Sequence, residues 1–248
     1  MRYLILSDIH ANWEALDAVL EAAQKEGFDQ IVCCGDLVGY GADPNAVTDW
    51  VRSTASFVVR GNHDKACVGL ENLDWFNPVA KTSALWTASV LREENVEYLR
   101  KLPKGPARVS DFQILHGSPV DEDEYLMQAG EVAQLAGYLD TRLSFFGHTH
   151  VQGGFIFQNS GLVKRVQGVA RKFDHEELIL DPEVYYLINP GSVGQPRDSD
   201  PRAAWCVYYP QDRRIMYRRV AYDIKGAQTK IRAAQLPDLL ARRLWAGH

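Results

Sequence analysis

Cysteine is scarce in this sequence, and its few residues form none of the patterns that bind zinc or build a disulfide framework. The four are Cys33, Cys34, Cys67 and Cys206, with no CxxC pair and no regular spacing. This pattern argues against a secreted disulfide-rich fold and against a thiolate metal centre. We expect reduced, partly buried thiols, as in cytosolic proteins.

Long apolar runs and a strong charge of one sign are also missing. No stretch approaches the roughly 20 apolar residues of a membrane span. The start, MRYLILSDIH, has an apolar run too short for a signal peptide and lacks a small-residue cleavage site. The net charge is −5 with acids and bases interspersed, which argues against an extended nucleic-acid-binding face. We therefore expect a cytoplasmic protein that does not bind membranes.

What the sequence does contain is enough apolar material for a sizeable core. Its 248 residues are 46% hydrophobic, and no linker or low-complexity stretch divides them. Short continuous apolar runs are typical of strands covered on both faces, and they are RYLIL, QIVCC, SFVVR, FQIL and RLSFF. Capping signals for helices stand at Asn12, Asp43-Pro44 and Asn77-Pro78. Strands that alternate with helices predict an α/β fold, here as a single domain of residues 1–248.

Residues 151–220 have a different pattern. They contain short strand-like runs separated by polar turns, namely GGFIFQ, GLVKRV, EELIL, VYYLINPGS, AAWCVYYP and RRIMYRR. These runs predict a second, largely antiparallel sheet packed against the first. The segment from Ile224 onward predicts two short helices interrupted near Pro237.

Polar side chains follow each of the five apolar runs of the first half, where ligands bind in α/β sheets. The ligand-type residues there are Asp8, His10, Asp36, Asn62, His116, His148 and His150. One metal needs three or four protein ligands, so seven suit two metals with one bridging ligand. In an extended segment, side chains at i and i+2 point the same way. The GHTH pair can therefore serve two neighbouring ions, with Thr149 pointing away.

The ligand types limit the metal and the substrate. Imidazole and carboxylate without thiolate suit manganese, iron, zinc or nickel better than calcium or magnesium. We expect two divalent ions, manganese first, with iron, zinc and nickel as alternatives. Two aspartates carry about −2 against +4 from two such ions, so the site attracts an anion and acidifies a bound water. A phosphate ester is the expected substrate.

In this order the motifs resemble the calcineurin-like metallophosphoesterase superfamily, whose pattern runs DxH, GD, GNH(D/E), H and GHxH. The five blocks here are Asp8-Ile9-His10, Gly35-Asp36, Gly61-Asn62-His63-Asp64, His116 and Gly147-His148-Thr149-His150. The segment NPGSVGQPR at 189–197 is similar to the small prokaryotic phosphodiesterase branch. The resemblance implies a four-layer αββα sandwich of two mixed β-sheets flanked by helices, with a dinuclear site at the strand ends.

The resemblance also implies a role for each motif residue. Asp8, His10 and His150 would hold one metal, Asn62, His116 and His148 the other, and Asp36 would bridge them. His63 would stand over the leaving-group oxygen, with Asp64 orienting it. The expected chemistry is in-line attack on phosphorus by a hydroxide held between the metals, with a protonated His63 donating to the departing alkoxide.

Two sets of arginines allow more than one interpretation. Arg60 immediately precedes GNHD and is predicted to bind phosphate oxygens bidentately, with a salt bridge under the loop as an equal alternative. Arg197 and Arg202 are expected to form local ion pairs with Asp198 and Asp200 rather than to reach the substrate.

Two loops and two histidines complete the candidates. The acidic segment 121–125 is interpreted as a solvated loop in preference to a lid. The segment WFNP at 75–78 either stacks on a base or an aryl ester or fills the core. His175 and His248 lie outside every motif and are expected at the surface.

The leading hypothesis is hydrolysis of phosphomonoesters or phosphodiesters. The alternatives are a nucleotide or dinucleoside polyphosphate hydrolase, a protein phosphatase, and a non-catalytic protein-binding scaffold. Scaffolds of that kind tend to lose ligands or the GNH histidine, and this chain keeps both. The expected partner is a small phosphate ester, and the oligomeric state is left open.

Overall fold

Two six-stranded β-sheets form the centre of the computed structural model, which describes residues 1–158, 161 and 163–248. The first sheet contains, from edge to edge, β3 (Phe57–Val58), β2 (Gln30–Cys33), β1 (Tyr3–Leu6), β11 (Ala203–Tyr209), β12 (Arg214–Val220) and β9 (His175–Ile179). The second contains β4 (Ala107–Arg108), β5 (Gln113–Ile114), β6 (Leu143–Phe145), β10 (Tyr185–Asn189), β7 (Gly153–Phe157) and β8 (Val163–Gln167). Strands β1, β2 and β3 are parallel, as are β5, β6 and β10, and the other pairings are antiparallel. Both sheets are therefore mixed.

Helices cover the outer faces of both sheets. In the described residues they are α1 (Trp13–Glu26), α2 (Pro44–Thr54), α3 (Asn62–Cys67), α4 (Pro78–Val90), α5 (Glu93–Lys101), α6 (Ala129–Ala133), α7 (Ile224–Ala233) and α8 (Asp238–Ala246). Short 3₁₀ helices lie at Leu73–Trp75 and Ala136–Tyr138. The C-terminal pair α7 and α8 is separated at Pro237, as predicted.

The capping signals in the sequence mark the helix starts correctly. The Asn12 side chain accepts a hydrogen bond from the Ala15 amide at 3.1 Å, and α1 begins at the next residue. The Asn77 side chain does the same for the Ala80 amide at 3.0 Å, at the start of α4. Asp43 precedes α2 without capping it, because its carboxylate accepts a hydrogen bond from Lys230 instead.

Alternate residues of β1 divide between two cores. Leu4 and Leu6 pack with Leu16 of α1 in the cluster beneath the outer helices. Tyr3 and Ile5 belong to the cluster between the two sheets. The outer face of the second sheet is covered by a further cluster around α6 and the Ala136–Tyr138 helix. The order helix, sheet, sheet, helix confirms the predicted αββα sandwich.

The division of strands between the sheets differs from the prediction. Strands β5 and β6 come from the first half of the chain, which was expected to form the first sheet, but they lie in the second sheet. Strands β9, β11 and β12 of the later chain join the first sheet, and β11 pairs antiparallel with β1. A continuous apolar run specifies burial on both faces, but it does not specify which strand lies next to it. The predicted run GLVKRV includes Leu162, which lies outside the described residues.

The lengths of the helices and the burial of the cysteines bear on two further expectations. No helix in the described ranges is long and apolar enough to cross a membrane. All four cysteines are free and buried. The thiols are thus buried throughout rather than partly buried as expected.

Candidate metal centre

The loops that follow five strands bring the predicted ligands together. They supply Asp8 and His10 after β1, Asp36 after β2, Asn62 after β3, His116 after β5, and His148 and His150 after β6. Their potential ligand atoms form two groups, each within 4.8 Å, which are Asp8, His10, Asp36 and His150, and Asp36, His116 and His148. Asn62 lies beside the second group, with its Oδ1 atom 3.3 Å from His116 Nε2. Asp36 belongs to both groups, as a bridging ligand would.

One oxygen of Asp36 faces both groups. Its Oδ2 atom lies 3.5 Å from His10 Nε2 and 3.4 Å from His116 Nε2. Its Oδ1 atom accepts a hydrogen bond from the His63 amide at 2.8 Å, which fixes the plane of the carboxylate. The shared position of Asp36 is therefore set by the main chain of the neighbouring loop.

Main-chain carbonyls orient three of the histidine rings. Nδ1 lies 3.0 Å from the Val38 oxygen in His10, 2.8 Å from the Cys34 oxygen in His116 and 2.6 Å from the Gln195 oxygen in His150. Because a carbonyl only accepts, each Nδ1 must donate its proton. In a neutral ring, Nε2 is then left with a free lone pair, which is the form that binds metals.

His148 has the opposite arrangement. Its Nε2 atom lies 3.0 Å from the Asp123 main-chain oxygen, so Nδ1 is the nitrogen left for a ligand. Thr149 between the two histidines points away, with its hydroxyl accepting a hydrogen bond from Asn189 at 3.0 Å. The GHTH pair therefore faces two different ligand groups, as predicted.

Two features of the first group fit a cation. The Nε2 atoms of His10 and His150 are 3.0 Å apart, although both rings donate through Nδ1. In the neutral rings, two lone pairs thus face each other. The Oδ2 atom of Asp8 is buried and has no hydrogen-bond partner in the described part of the chain. A divalent ion between these atoms would satisfy all three.

The backbone at these ligands is left-handed rather than extended. Ten non-glycine residues in the described ranges have positive φ, and half of them are Asp8, His10, Asp36, His148 and His150, with φ between 49° and 65°. The extended geometry assumed for the i and i+2 pairs is therefore wrong, although Asp8 and His10 do converge on one group. Such conformations are unfavourable for side chains with a Cβ atom and concentrate at functional sites.

Two motif glycines leave room for the ligands. A Cβ atom on Gly61 would lie 2.1 Å from Asp36 Oδ1, and one on Gly147 would lie 2.1 Å from Ser7 Oγ and 2.9 Å from Asp8 Oδ2. The packing of the loops around the carboxylates thus requires glycine at both positions.

Burial dominates the ionisation of the site. It raises the pKa of Asp8 to about 7 and lowers the pKa of His10 and His150 well below the usual value, so both rings are neutral. Asp36 and His116 behave differently. Despite burial, His116 holds the pKa of Asp36 well below its usual range, and Asp36 raises the pKa of His116 to about 10. This pair is ionised without a metal, and a cation would displace the His116 proton.

His63 lies beside the ligands but belongs to neither group. Its ring packs against Tyr40, with centroids 4.3 Å apart, and against Phe76 at 5.3 Å. Its Nδ1 atom is buried beside Gly39 without a hydrogen-bond partner among the described residues. Burial lowers the pKa of His63 to about 4, with Arg197 adding to the effect.

The predicted contact between Asp64 and His63 is not made. Both oxygens of Asp64 accept hydrogen bonds from main-chain amides, which are those of Asp36 at 2.9 Å, Leu37 at 2.9 Å, Val38 at 3.2 Å and Gly61 at 2.9 Å. Asp64 therefore joins the Asp36 loop to the Asn62 loop. It positions ligands rather than the imidazole of His63.

Arg60 forms a salt bridge, as the alternative interpretation predicted, and its contact with phosphate stays a prediction. Its guanidinium binds Glu122 through two hydrogen bonds of 3.0 and 2.8 Å. Lys65 also contacts Glu122, at 3.1 Å. A bidentate pair of this kind leaves little donor capacity for a phosphate.

The segment 121–125 forms a wall of the site, although Asp121, Asp123 and Tyr125 remain exposed. Glu122 is buried in its ion pairs, and the Asp123 carbonyl contacts His148. The ring of Tyr125 stacks on His148 with centroids 3.7 Å apart. The preference for a solvated loop was therefore wrong for Glu122, because four acidic residues in a row obscured its buried role.

The segment 189–197 connects the loops that carry the ligands. Asn189 donates to the Gly147 carbonyl at 2.9 Å, and the Ser192 hydroxyl donates to the Asp8 carbonyl at 2.8 Å. The Gln195 carbonyl holds the His150 ring. Sequence reasoning assigned no role to this segment. The signal that could have revealed it is that polar residues stand at the end of a sixth buried strand and directly after it, with Asn189 as the last residue of β10 and Ser192 and Gln195 beyond it.

The remaining candidates are two arginines and two histidines. Arg202 pairs with Asp200 at 2.6 Å, as predicted. Arg197 forms no such pair with Asp198, whose carboxylate contacts Arg219 instead. His175 and His248 are exposed, as predicted.

A cleft opens beside the second ligand group. Its volume is about 380 Å³, and its walls include Asn62, His63, Trp75, Phe76, Tyr125 and His148. Trp75 is 88% exposed, so the segment WFNP does not fill the core as a whole. Phe76 contacts His63, and the exposed ring of Trp75 lines the cleft.

Comparison with known proteins agrees with this architecture. Residues 1–212 match the calcineurin-like phosphoesterase superfamily domain. The chain is 38% identical to an uncharacterized protein of Methanocaldococcus jannaschii, covering 98% of this chain and 97% of that one. It is 40% identical to a metallophosphoesterase from Sphaerobacter thermophilus of known crystal structure, with TM-score 0.87 and coverage of 100% and 99%.

A more distant structure shares the fold alone. A hypothetical protein from Pyrococcus horikoshii OT3 superposes with TM-score 0.76 at 18% identity, covering 100% of this chain and 98% of that one. The family match, the two close relatives and the intact ligand loops agree. The chain belongs to the calcineurin-like phosphoesterase superfamily.

Proposed function

We propose that the protein is a dinuclear metal-dependent phosphoesterase that hydrolyses phosphomonoesters or phosphodiesters. The observation that carries this proposal is the sharing of the Asp36 carboxylate between two buried ligand groups. Membership of the superfamily supports hydrolysis of phosphate esters, and the shared carboxylate supports two ions rather than one.

The donor set supports manganese first, with iron, zinc and nickel as alternatives. Asp8, His10 and His150 would hold one ion, Asn62, His116 and His148 the other, and Asp36 both. When bound, such ions would supply a hydroxide nucleophile at neutral pH and neutralise charge on the phosphoryl oxygens. The neutral imidazoles of His10 and His150 are already in the ionisation state that binding requires.

His63 is the residue of the chain best placed to handle the leaving group. Its Nε2 atom is the ring nitrogen available at the cleft, because Nδ1 is buried beside Gly39. Without substrate the ring is neutral at pH 7, since burial lowers its pKa to about 4. A phosphate dianion beside the ring would raise that pKa again, because negative charge favours imidazolium. We propose that His63 then donates its Nε2 proton to the leaving oxygen.

The cleft favours an ester whose leaving group contains a flat ring. Its volume of about 380 Å³ lies in the range of small-molecule sites. The rings of Trp75 and Tyr125 offer stacking surfaces, while Asn72 and Asn77 in the same wall offer hydrogen-bond partners. Among the alternatives, a nucleotide or an aryl ester therefore has structural support.

The burial of four free thiols supports a reducing compartment, and we propose a cytoplasmic location. The substrate we propose is a small phosphate ester, since the cleft is a pocket of limited size rather than a long groove.

Metal reconstitution combined with a substrate panel tests the function. The purified protein is stripped of metal and loaded separately with Mn²⁺, Fe²⁺, Zn²⁺ or Ni²⁺, and its metal content is measured. Hydrolysis of p-nitrophenyl phosphate, bis-p-nitrophenyl phosphate and a set of nucleotides is then followed. We expect two equivalents of Mn²⁺ and turnover of at least one class. Two bound equivalents with no hydrolysis of any ester would favour the scaffold alternative.

A further inference from the structure

Arg197 is a largely buried cation that has no carboxylate partner among the described residues. Its Nη2 atom donates to two neutral oxygens, the Tyr40 hydroxyl at 3.4 Å and the Gln195 side chain at 3.2 Å. Its Nε atom is buried without a hydrogen-bond partner in the ranges that the structure describes. By contrast, the guanidinium groups of Arg60 and Arg202 each bind a carboxylate. An unpaired buried charge is costly, and an anion would remove that cost.

The main chain places Arg197 next to the first ligand group. Its amide donates to the His150 carbonyl at 3.1 Å. Its guanidinium carbon lies 5.8 Å from the centroid of the Tyr40 ring. That ring in turn lies 4.7 Å from the His10 ring and 4.3 Å from the His63 ring. Arg197 is thus one aromatic ring away from both a metal ligand and the proposed acid.

A second arginine reinforces the positive charge. The guanidinium carbon of Arg243, on α8, lies 6.0 Å from the centroid of the same Tyr40 ring. Arg243 forms no ion pair with a carboxylate of the described residues, and the charge of Arg197, after burial, lowers its pKa. Two cations that repel each other across one ring make an arrangement that an oxyanion would stabilise.

We propose that Arg197 binds the non-esterified oxygens of the substrate phosphate, in the role that the sequence suggested for Arg60. The planar guanidinium suits two phosphate oxygens at once. The ring of Tyr40 packs against the guanidinium of Arg197, and Arg243 adds positive charge without contacting the phosphate itself. This proposal rests on the proposed phosphoesterase function, because it assumes that a phosphate occupies the metal centre.

The experiment measures binding of inorganic phosphate to the Mn²⁺-loaded protein by calorimetry, so that no turnover is needed. The variants are Arg197→Gln, which removes the charge, and Arg197→Lys, which keeps the charge but cannot bind two phosphate oxygens as a planar guanidinium does. Arg202→Gln is the control, because Arg202 lies in the same loop but is held by Asp200. Metal content is measured for every variant.

We expect Arg197→Gln to weaken phosphate binding roughly 10- to 100-fold, the scale of a hydrogen bond to a charged group. The KM for p-nitrophenyl phosphate should rise by a similar factor, with full metal content. Arg197→Lys should recover part of the affinity, and Arg202→Gln should bind phosphate like the wild type.

Two results would overturn the proposal. One is wild-type phosphate affinity in fully loaded Arg197→Gln. The other is a loss of metal that accounts for the loss of affinity, because Arg197 would then act only through His150. If the wild type binds phosphate through Arg197 but hydrolyses no ester, the anion site stands and the proposed function fails. If hydrolysis persists without any dependence of phosphate binding on Arg197, the function stands and the anion site fails.

Discussion

The ligand loops and the rim of the cleft are held in place by different kinds of contact. In the ligand loops, the rings of His10, His116 and His150 are fixed by main-chain carbonyls. In the rim, which we define as Arg60, the segment 121–125 and Arg197, the charged groups of Arg60, Glu122 and Arg197 contact other side chains. Arg60 is held by Glu122, and Arg197 touches Tyr40 and Gln195. Main-chain atoms therefore fix the side chains of the ligand loops, whereas other side chains fix the arginines of the rim.

This difference predicts how each region responds to change. A carbonyl stays in place when its own side chain is replaced, so the ligand rings should tolerate substitutions at Val38 or Cys34 that leave the loop intact. A side-chain pair fails when either member is removed. Changes to the ligands themselves should abolish chemistry, whereas changes to the rim should alter stability or substrate affinity.

Replacement of the shared carboxylate should have the largest effect. Asp36→Asn keeps the shape of the side chain but removes the charge that both ligand groups use. We expect loss of measurable hydrolysis and binding of fewer than two equivalents of metal, measured by elemental analysis.

Asp17→Asn is the matched control for Asp36→Asn, because Asp17 is exposed on α1 and belongs to neither ligand group. It should retain wild-type activity and metal content. Full turnover and two metal equivalents in Asp36→Asn would contradict the assignment of Asp36 as the shared ligand.

Removal of the proposed acid should have the second largest effect. His63→Ala should leave both metals bound and lower turnover by about 10²–10⁴, the usual scale for general acid–base groups. The loss should be greatest for an alkyl phosphate, whose leaving group has a high pKa, and least for p-nitrophenyl phosphate.

Metal content and rates with both substrates distinguish the possible roles of His63. Equal losses for good and poor leaving groups would show that His63 stabilises charge instead of donating a proton. Its amide also holds Asp36, but that contact belongs to the main chain and survives the substitution.

The clustering of the candidate ligands and the fold class could be predicted because each depends on short stretches of sequence. Asp8 and His10 stand directly after an apolar run, and His148 and His150 do the same. Their position at the end of a strand follows from the local sequence and does not depend on contacts with distant parts of the chain. Even so, the reason given for their convergence was wrong, because the backbone there is left-handed. Conformations of this kind are uncommon for residues with a Cβ atom and leave no clear pattern in a sequence.

The rim could not be predicted because its contacts join distant parts of the chain. Arg60 and Glu122 are 62 residues apart, and Arg197 and Tyr40 are 157 apart. A local pattern shows that an arginine is present, but it does not show which of several carboxylates will reach it. The sheet membership of β11 has the same cause, since its apolar run fits the centre of either sheet.

Crowding a ligand loop should have an intermediate effect. In Gly147→Ala, the new Cβ atom would lie 2.1 Å from Ser7 Oγ, so the loop must shift away from Asp8. We expect the free energy of unfolding to fall by about 1–3 kcal/mol, the scale of overpacking, together with weaker metal binding.

Denaturant titration and metal titration test the crowding prediction. Gly130→Ala is the control, since a Cβ atom there meets nothing within 4 Å and Gly130 lies in α6. It should leave metal binding unchanged and slightly stabilise the helix. Unchanged metal affinity in Gly147→Ala would show that the loop adapts more easily than its contacts imply.

Removal of Arg60 should have the smallest effect on catalysis, because its guanidinium is committed to Glu122 rather than to substrate. In Arg60→Gln, Glu122 keeps Lys65 as a cationic partner at 3.1 Å, so the carboxylate is not left without compensation. We expect kcat/KM to fall by less than about tenfold, which corresponds to under about 1.4 kcal/mol of transition-state stabilisation. Stability should fall instead, and a double-mutant cycle with Glu122→Gln should give a coupling energy of about 0.5–3 kcal/mol, the usual range for residues in contact. The cycle also separates the two interpretations that the sequence left open. If Arg60 acted on phosphate, Arg60→Gln would raise KM strongly even in the Glu122→Gln background, and the coupling in stability would be near zero. A large KM effect with no coupling would therefore return Arg60 to the binding site, and it would weaken the contrast between a ligand region fixed by the backbone and a rim fixed by pairs.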